Sequence, residues 1–308
     1  MVIPRNIRIF LIVALVLAGI IFLISNLSAP SKEPFEDVNP VGDFFLRMSK
    51  PDLHARGLRD MHFTSDYKDF YFSNISEPTP EQVSILRILC SQADGLIRDI
   101  GFTALLDIPW NFKMIPDDLE NGYPHTLGNT IYIPKRLLDS INTEKSEEVV
   151  QTLIHERIHL FQRSRPNETE ILVGLWGFVG STYVDGLQRN NPDLNGINYI
   201  YQGSVILQKY NSPRPSSLMD SIVVAINKDV DFETPIKNAT VLGFPYTVRQ
   251  FEHPYEIMAD LLAYIIVHQE ALDDVIKQNS KVITFFDWMN SLKASSFIIN
   301  EEAKVVSD

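Results

Sequence analysis

The sequence predicts an α+β protein, and three observations carry that prediction. Apolar residues recur at helical spacing in 79–100, 145–163 and 254–277, and residues 171–250 alternate β-branched and aromatic residues between turn clusters. The third is an uninterrupted apolar run at the extreme N-terminus. With 308 residues there is material for one large domain or two modest ones. The composition is globular, 45% apolar and 21% charged. The formal net charge is −12 and no basic run is present, so no nucleic-acid partner is expected.

Residues 1–28 read as an N-terminal signal anchor. The run IFLIVALVLAGIIFLI (9–24) follows Arg5 and Arg8, and Ser25 to Leu27 bring it towards the roughly 20 residues that a membrane span needs. A cleaved signal peptide is the rival, although Leu27 is a poor residue three positions before the cut. Arginines before the run, with Glu33, Glu36 and Asp37 after it, predict a single transmembrane helix with a cytoplasmic N-terminus. The remainder is then expected in the periplasm, a lumen or a viral envelope. Sequons at Asn74, Asn167 and Asn238 are compatible with that placement. Cys90 is the only cysteine, so no intrachain disulfide forms, which fits a periplasmic or envelope setting better than a eukaryotic secreted one.

Residues 29–78 are read as a juxtamembrane linker and N-terminal extension. The prolines of SAPSKEPFEDVNPVG mark the linker, and Asp43 to Ser76 is aromatic and charged without a clear period. The main domain is expected at 79–295. Thr79-Pro80 opens a helix that runs to about Ile100, with Cys90 as a buried structural thiol. WNFKMI (110–115) and TIYIP (130–134) predict two strands that bracket a polar loop. KSEEVVQTLIHERIHLFQR predicts a helix with acidic residues in its first turn and Pro166 as its stop. A β-rich insertion fills 171–250. Helix returns at Pro254, a last helix covers VITFFDWMNSL, and 296–308 form a charged tail.

HERIH (155–159) carries the chemistry. On a helix, positions i and i+4 share a face about 6 Å apart, so His155 and His159 can take adjacent vertices of a zinc tetrahedron. Glu156 projects near the same face, where a carboxylate can act as general base on water that zinc has acidified. A catalytic zinc needs a third protein ligand. Gln162 and Arg165 stand where the metzincin pattern has glycine and histidine, which excludes that class. A glutamate on a second helix remains, with Glu168 and Glu170 as competitors.

HERIH followed by Glu256-Ile257-Met258-Ala259-Asp260 resembles the gluzincin metallopeptidases, H-E-x-x-H plus E-x-x-x-D. The resemblance implies Glu256 as the third zinc ligand and Asp260 as the acid that orients His155. It implies a zincin-like domain with an active-site helix and an upstream edge strand, Asn129 to Ile133, on which an extended peptide would pair. His125 and Tyr255 are then candidate substrate or oxyanion contacts, with Tyr199, Tyr201 and His253 as further donors. The expected function is a membrane-anchored zinc metallopeptidase acting on a peptide or protein substrate. The alternative is a non-catalytic zinc-binding membrane or envelope protein.

Overall fold

Thr79 begins the first long helix as the sequence leads one to expect. Its side chain accepts from the Gln82 N–H, the Gln82 side chain returns the bond to the Thr79 N–H, and Pro80 occupies the first turn. In this computed structural model residues 44–58, 64–139, 146–227, 229–230 and 232–305 are described, with side chains as far as 292. The described helices are α1 (Lys50–Ala55), α2 (Thr64–Ser73), α3 (Pro80–Asp99), α4 (Thr103–Leu106), α5 (Lys135–Asp139), α6 (Ser146–Ser164), α7 (Pro166–Leu175), α8 (Pro254–Val267), α9 (Asp274–Lys277) and α10 (Ser280–Val305). Strands β1 (Phe112–Ile115), β2 (His125–Leu127) and β3 (Thr130–Pro134) form one sheet. Strands β4 (Phe178–Ser181), β5 (Asn198–Tyr201), β6 (Ser204–Tyr210), β7 (Ser221–Asn227) and β8 (Phe232–Pro235) form a second.

The second sheet is an antiparallel meander, β4-β5-β6-β7-β8, and it occupies the predicted insertion. Its β5–β6 hairpin turns on Gln202 and Gly203, at φ 48° and 81°, the left-handed pair that a tight two-residue turn requires. Residues of α3, α6, α8 and α10 meet in the main core through Ile97, Leu153, Phe161, Leu261 and Phe285. Each such side chain contributes about 1.5–3 kcal/mol by leaving water. α8 is apolar on nearly every face and buried along almost its whole length, so its two acids, Glu256 and Asp260, are carried inside with it. A smaller aromatic core joins the N-terminal extension to the first sheet: Phe44, Phe45, Tyr67 and Tyr71 pack on Ile115, Leu119, Leu127 and Tyr132.

Several expectations need correction. Among the described residues no helix is long and apolar enough to cross a membrane, so the expected transmembrane helix is not part of the described fold. The apolar run at 9–24 itself lies outside the described residues. TIYIP is not an edge strand. β3 lies in the middle of its sheet, parallel to β1 on one side and antiparallel to β2 on the other. The missed β2 sits within the stretch read as a polar loop, and its pairing takes the main-chain groups that a substrate was expected to use. Pro166 ends one helix and starts the next: the residue before proline is held out of the α region, while proline itself suits a first helical turn. α10 runs on to Val305, through the expected tail.

Candidate metal centre

α6 sets His155 and His159 one turn apart, and α8 packs against it with Glu256 in its first turn. His155 Nε2 lies 3.0 Å from His159 Nε2, and Glu256 Oε2 lies 3.3 Å from the first and 3.4 Å from the second. All three residues are buried. A tetrahedral zinc about 2.0–2.2 Å from each ligand atom would space those atoms about 3.3–3.6 Å apart. The observed triangle matches that to within a few tenths of an ångström. Two nitrogens and one carboxylate oxygen are also a donor set that zinc takes readily. Neither Glu168 nor Glu170 is near it: Glu168 lies beside Arg165 at 3.9 Å, and Glu170 accepts from Tyr199 at 2.6 Å and Tyr255 at 2.8 Å.

Two of the three candidate ligands are oriented from behind. Gln162, one turn beyond His159, donates through Nε2 to the Tyr255 carbonyl at 2.9 Å, and that fixes its Oε1 towards His159. The Oε1 therefore accepts from His159 Nδ1–H at 2.8 Å, leaving Nε2 to face the triangle. Asn191 Oδ1 accepts from the Asp193 N–H at 3.0 Å, so its Nδ2 is the atom that donates to Glu256 Oε1 at 2.6 Å. Asp260 is buried beside His155, but its Oδ2 accepts from the main chain of Arg249 at 2.5 Å and Gln250 at 3.4 Å. No hydrogen bond between Asp260 and His155 occurs among the described residues.

Electrostatics show what the centre lacks. Glu156 Oε2 and Glu256 Oε2 are buried without a hydrogen-bond partner. An unsatisfied buried acceptor costs about 1–3 kcal/mol, and more when it is charged. Burial pushes the Glu156 carboxyl well above the usual carboxylate range, with Asp193 and Glu256 adding to the effect and His159 opposing it. Burial disfavours charge on His159 too, but the Glu256 and Asp193 carboxylates outweigh it and hold the imidazolium up at about 9. Glu256 is held well below its usual range by the two histidines, against the cost of its burial. A divalent cation among these atoms would satisfy the stranded oxygen of Glu256 and replace the proton on His159.

The centre opens into a cleft of about 470 Å³ lined by His155, Glu156, Asp193, Asp260 and their neighbours. His125 also lines it, yet both ring nitrogens are committed. Nδ1–H donates to the Tyr123 carbonyl at 2.9 Å, Nε2 accepts from the Tyr71 hydroxyl at 2.6 Å, and the ring stacks on Tyr132. Tyr255 points elsewhere, donating to Glu170. The Tyr201 hydroxyl donates to the Leu242 carbonyl, and Tyr199 joins Tyr255 on Glu170. His253 caps α8, accepting at Nδ1 from the Tyr255 N–H at 3.1 Å and donating from Nε2 to the Ile197 carbonyl at 2.8 Å. Cys90 is a buried thiol pushed up to about 12, mainly by burial, and is inert at neutral pH.

Sequence reasoning missed Gln162, Asn191 and Asp193. Gln162 had a signal, since it stands three positions after His159 on the same helical face. Asn191 and Asp193 sit in the turn-rich stretch RNNPDLNG, far in sequence from the groups they hold, and had none. Comparison of the chain with known protein families, with curated proteins and with solved structures finds no match.

Proposed function

We propose that the chain is a zinc-dependent hydrolase of peptide or amide bonds, with His155, His159 and Glu256 as ligands and Glu156 as proton carrier. The observation that supports this reading is the Glu156 carboxylate: it is buried next to the three ligand residues, has one oxygen unpartnered, and lines the open cleft. A structural zinc site closes with a fourth protein ligand and has no use for a base. Among the described residues no fourth His, Cys, Asp or Glu joins the three. The set H-E-x-x-H plus a later glutamate is the one that gluzincin metallopeptidases use, and the proposal extends their chemistry to this chain.

Zinc, when bound, supplies Lewis acidity towards a carbonyl oxygen and acidifies water. The chain's own residues do the rest. Gln162 and Asn191 fix the orientation of His159 and Glu256, and the cleft admits the scissile group from one side. In the net reaction water oxygen bonds to the carbonyl carbon, the C–N bond breaks, and an acid and an amine leave. Glu156 takes one proton from the water and passes it to the leaving nitrogen.

The test pairs elemental analysis with a mixed peptide library. The purified protein should carry one zinc, and His155→Ala should lose it. Glu156→Gln is nearly isosteric and removes only the proton carrier, so it should retain zinc and lose 10²–10⁴-fold or more in hydrolysis. Equal turnover by the two proteins at equal zinc would assign the base elsewhere. Zinc without turnover in either would favour the non-catalytic metal protein.

A further inference from the structure

The cleft has two features that bear on what it accepts, and the first is a closed sheet edge. In an antiparallel ladder alternate residues turn their main-chain groups away from the partner strand. In the three residues of β2 that residue is Thr126. Its N–H donates to Asp193 Oδ1 at 2.6 Å, and its carbonyl accepts from Arg163 Nη2 at 3.2 Å. Arg163 also donates to the Thr126 hydroxyl at 2.5 Å and the Pro192 carbonyl at 2.9 Å, which clamps the loop over the edge. A peptide that binds as an added strand needs free main-chain groups on the edge it joins. At the strand bordering this cleft they are already taken.

The second feature is charge. Arg189 and Arg249 line the cleft together with His155 and Glu156. Arg189 Nη1 donates to Gln208 Oε1 at 2.8 Å, while its Nε is buried without a partner. The Arg249 side chain is exposed and makes no hydrogen bond or ion pair among the described residues. Its main-chain N–H is tied to Asp260, which keeps it beside the centre. Most carboxylates of the cleft are committed: Glu120 to Arg56, Asp193 to Thr126, and Asp260 to the main chain. Glu252 lines the cleft too and feels the Arg189 charge, but forms no ion pair within 4.0 Å with either arginine among the described residues. A volume of about 470 Å³ suits a small ligand.

From the capped edge, the unpartnered Nε of Arg189 and the unpaired side chain of Arg249 we infer that the substrate is a short peptide or amide with a carboxylate near the scissile bond, held by Arg189 and Arg249. The inference rests on the hydrolase reading above and names its substrate class. Guanidinium and carboxylate match as a bidentate pair, which gives both affinity and register. A long neutral peptide lying as an added strand is correspondingly disfavoured.

The test is calorimetric titration of the zinc-loaded full chain carrying Glu156→Gln, which removes turnover. Three acetylated tripeptides are compared: one neutral with a free terminal carboxylate, one amidated with aspartate last, and one amidated with asparagine last. A neutral amidated dodecapeptide is the fourth probe. At least one acid should bind about 10–100-fold tighter than the asparagine amide. Which acid does so separates a terminal carboxylate from a side-chain one. Arg189→Gln and Arg249→Gln should each shrink that ratio while zinc content and melting temperature hold. Equal binding of acids and amide, a ratio unchanged in both arginine variants, tightest binding of the dodecapeptide, or no binding of any probe overturns the inference. If the wild type cleaves none of the probes while the acid preference persists, substrate recognition stands and the hydrolase reading falls.

Discussion

Arg56 and Glu156 are both ionisable side chains withdrawn from water, and their surroundings differ in completeness. Arg56 Nε and Nη2 grip Glu120 at 2.7 and 2.9 Å, Nη1 reaches Asp52 at 3.3 Å, and Nη2 also meets the Asn190 carbonyl at 3.1 Å. The Tyr67 hydroxyl donates to Glu120, and Asp52 accepts from the Asn190 N–H at 2.9 Å and the Tyr210 hydroxyl at 3.1 Å. No orphaned polar atom of this cluster occurs among the described residues. The cluster even holds Glu120 and Asn121 at φ 48° and 58°, a left-handed backbone that costs about 1–3 kcal/mol per residue unless its surroundings fix it. Around Glu156 the same burial leaves Glu156 Oε2 without any partner, and Glu256 Oε2 with no hydrogen bond and only the two histidines 3.3–3.4 Å away. A charge cluster that closes on itself is architecture. One that leaves acceptors stranded at a cleft has room for a cation and a reacting group.

The largest effect expected from breaking this contrast is on the complete side. Arg56→Ala leaves Glu120 and Asp52 buried without their cation. Stability should fall by about 3–5 kcal/mol in denaturant titrations, as when one partner of a buried pair is removed. Added zinc should return little of it. A loss below about 1 kcal/mol would mean that the cluster opens to water and the contrast is false.

The incomplete side should answer to pH, and only without metal. The His159 imidazolium sits at about 9 in the folded chain against an ordinary value of 6.5. A raised folded value means stability fully present below 6.5 and lost as pH climbs through about 9. Glu256, held low, contributes from its side above its ordinary 4.5 and loses the contribution only as pH falls through its depressed folded value. The two shifts describe one ion pair and count once, for about 3 kcal/mol at most. Chelator-treated protein should therefore lose stability between pH 6.5 and 9. In zinc-loaded protein His159 Nε2 is the proposed ligand atom, so that loss should vanish, while zinc affinity itself rises with pH. Parallel pH profiles for the two forms would argue that zinc does not engage His159.

The sequence made the helices and the two histidines legible because their signals are local. Thr79 with Gln82, the acidic first turn of α6 and Pro254 before an apolar run each act within one turn of chain. Glu256 was reachable because its first-turn place is local as well. The sheet order was not legible. Whether TIYIP is central or at an edge depends on β2, a three-residue strand hidden in a polar loop, whose outer side is closed by Asp193 and Arg163 from elsewhere in the chain. The role of His125 was hidden for the same reason, since its partner Tyr71 comes from an extension with no period to read. Likewise Asp260 was matched to His155 by the gluzincin resemblance, but the neighbouring loop supplies main-chain donors that take its Oδ2.

The smallest effect joins the two clusters. Asn190 is bound at both main-chain groups by Asp52 and Arg56, and its side chain donates to the Phe44 carbonyl at 2.8 Å. The next residue, Asn191, reaches Glu256. The complete cluster thus holds the residue that orients the proposed third ligand. Asn191→Leu keeps the bulk and removes the donor, so Glu256 Oε1 loses its 2.6 Å partner while the Arg56 cluster is untouched. Zinc affinity should fall about 10–100-fold, the range for losing a group that orients a ligand, and the metal-free protein should also lose about 1–3 kcal/mol because Glu256 Oε1 and the Asp193 N–H are left buried without partners. Asn191→Asp should do worse, because it sets a like charge against Glu256 as well as removing the donor. Competition with a fluorescent zinc chelator reads both variants. If Asn191→Leu binds zinc as tightly as the wild type, the loop does not position Glu256 and the two clusters are energetically separate.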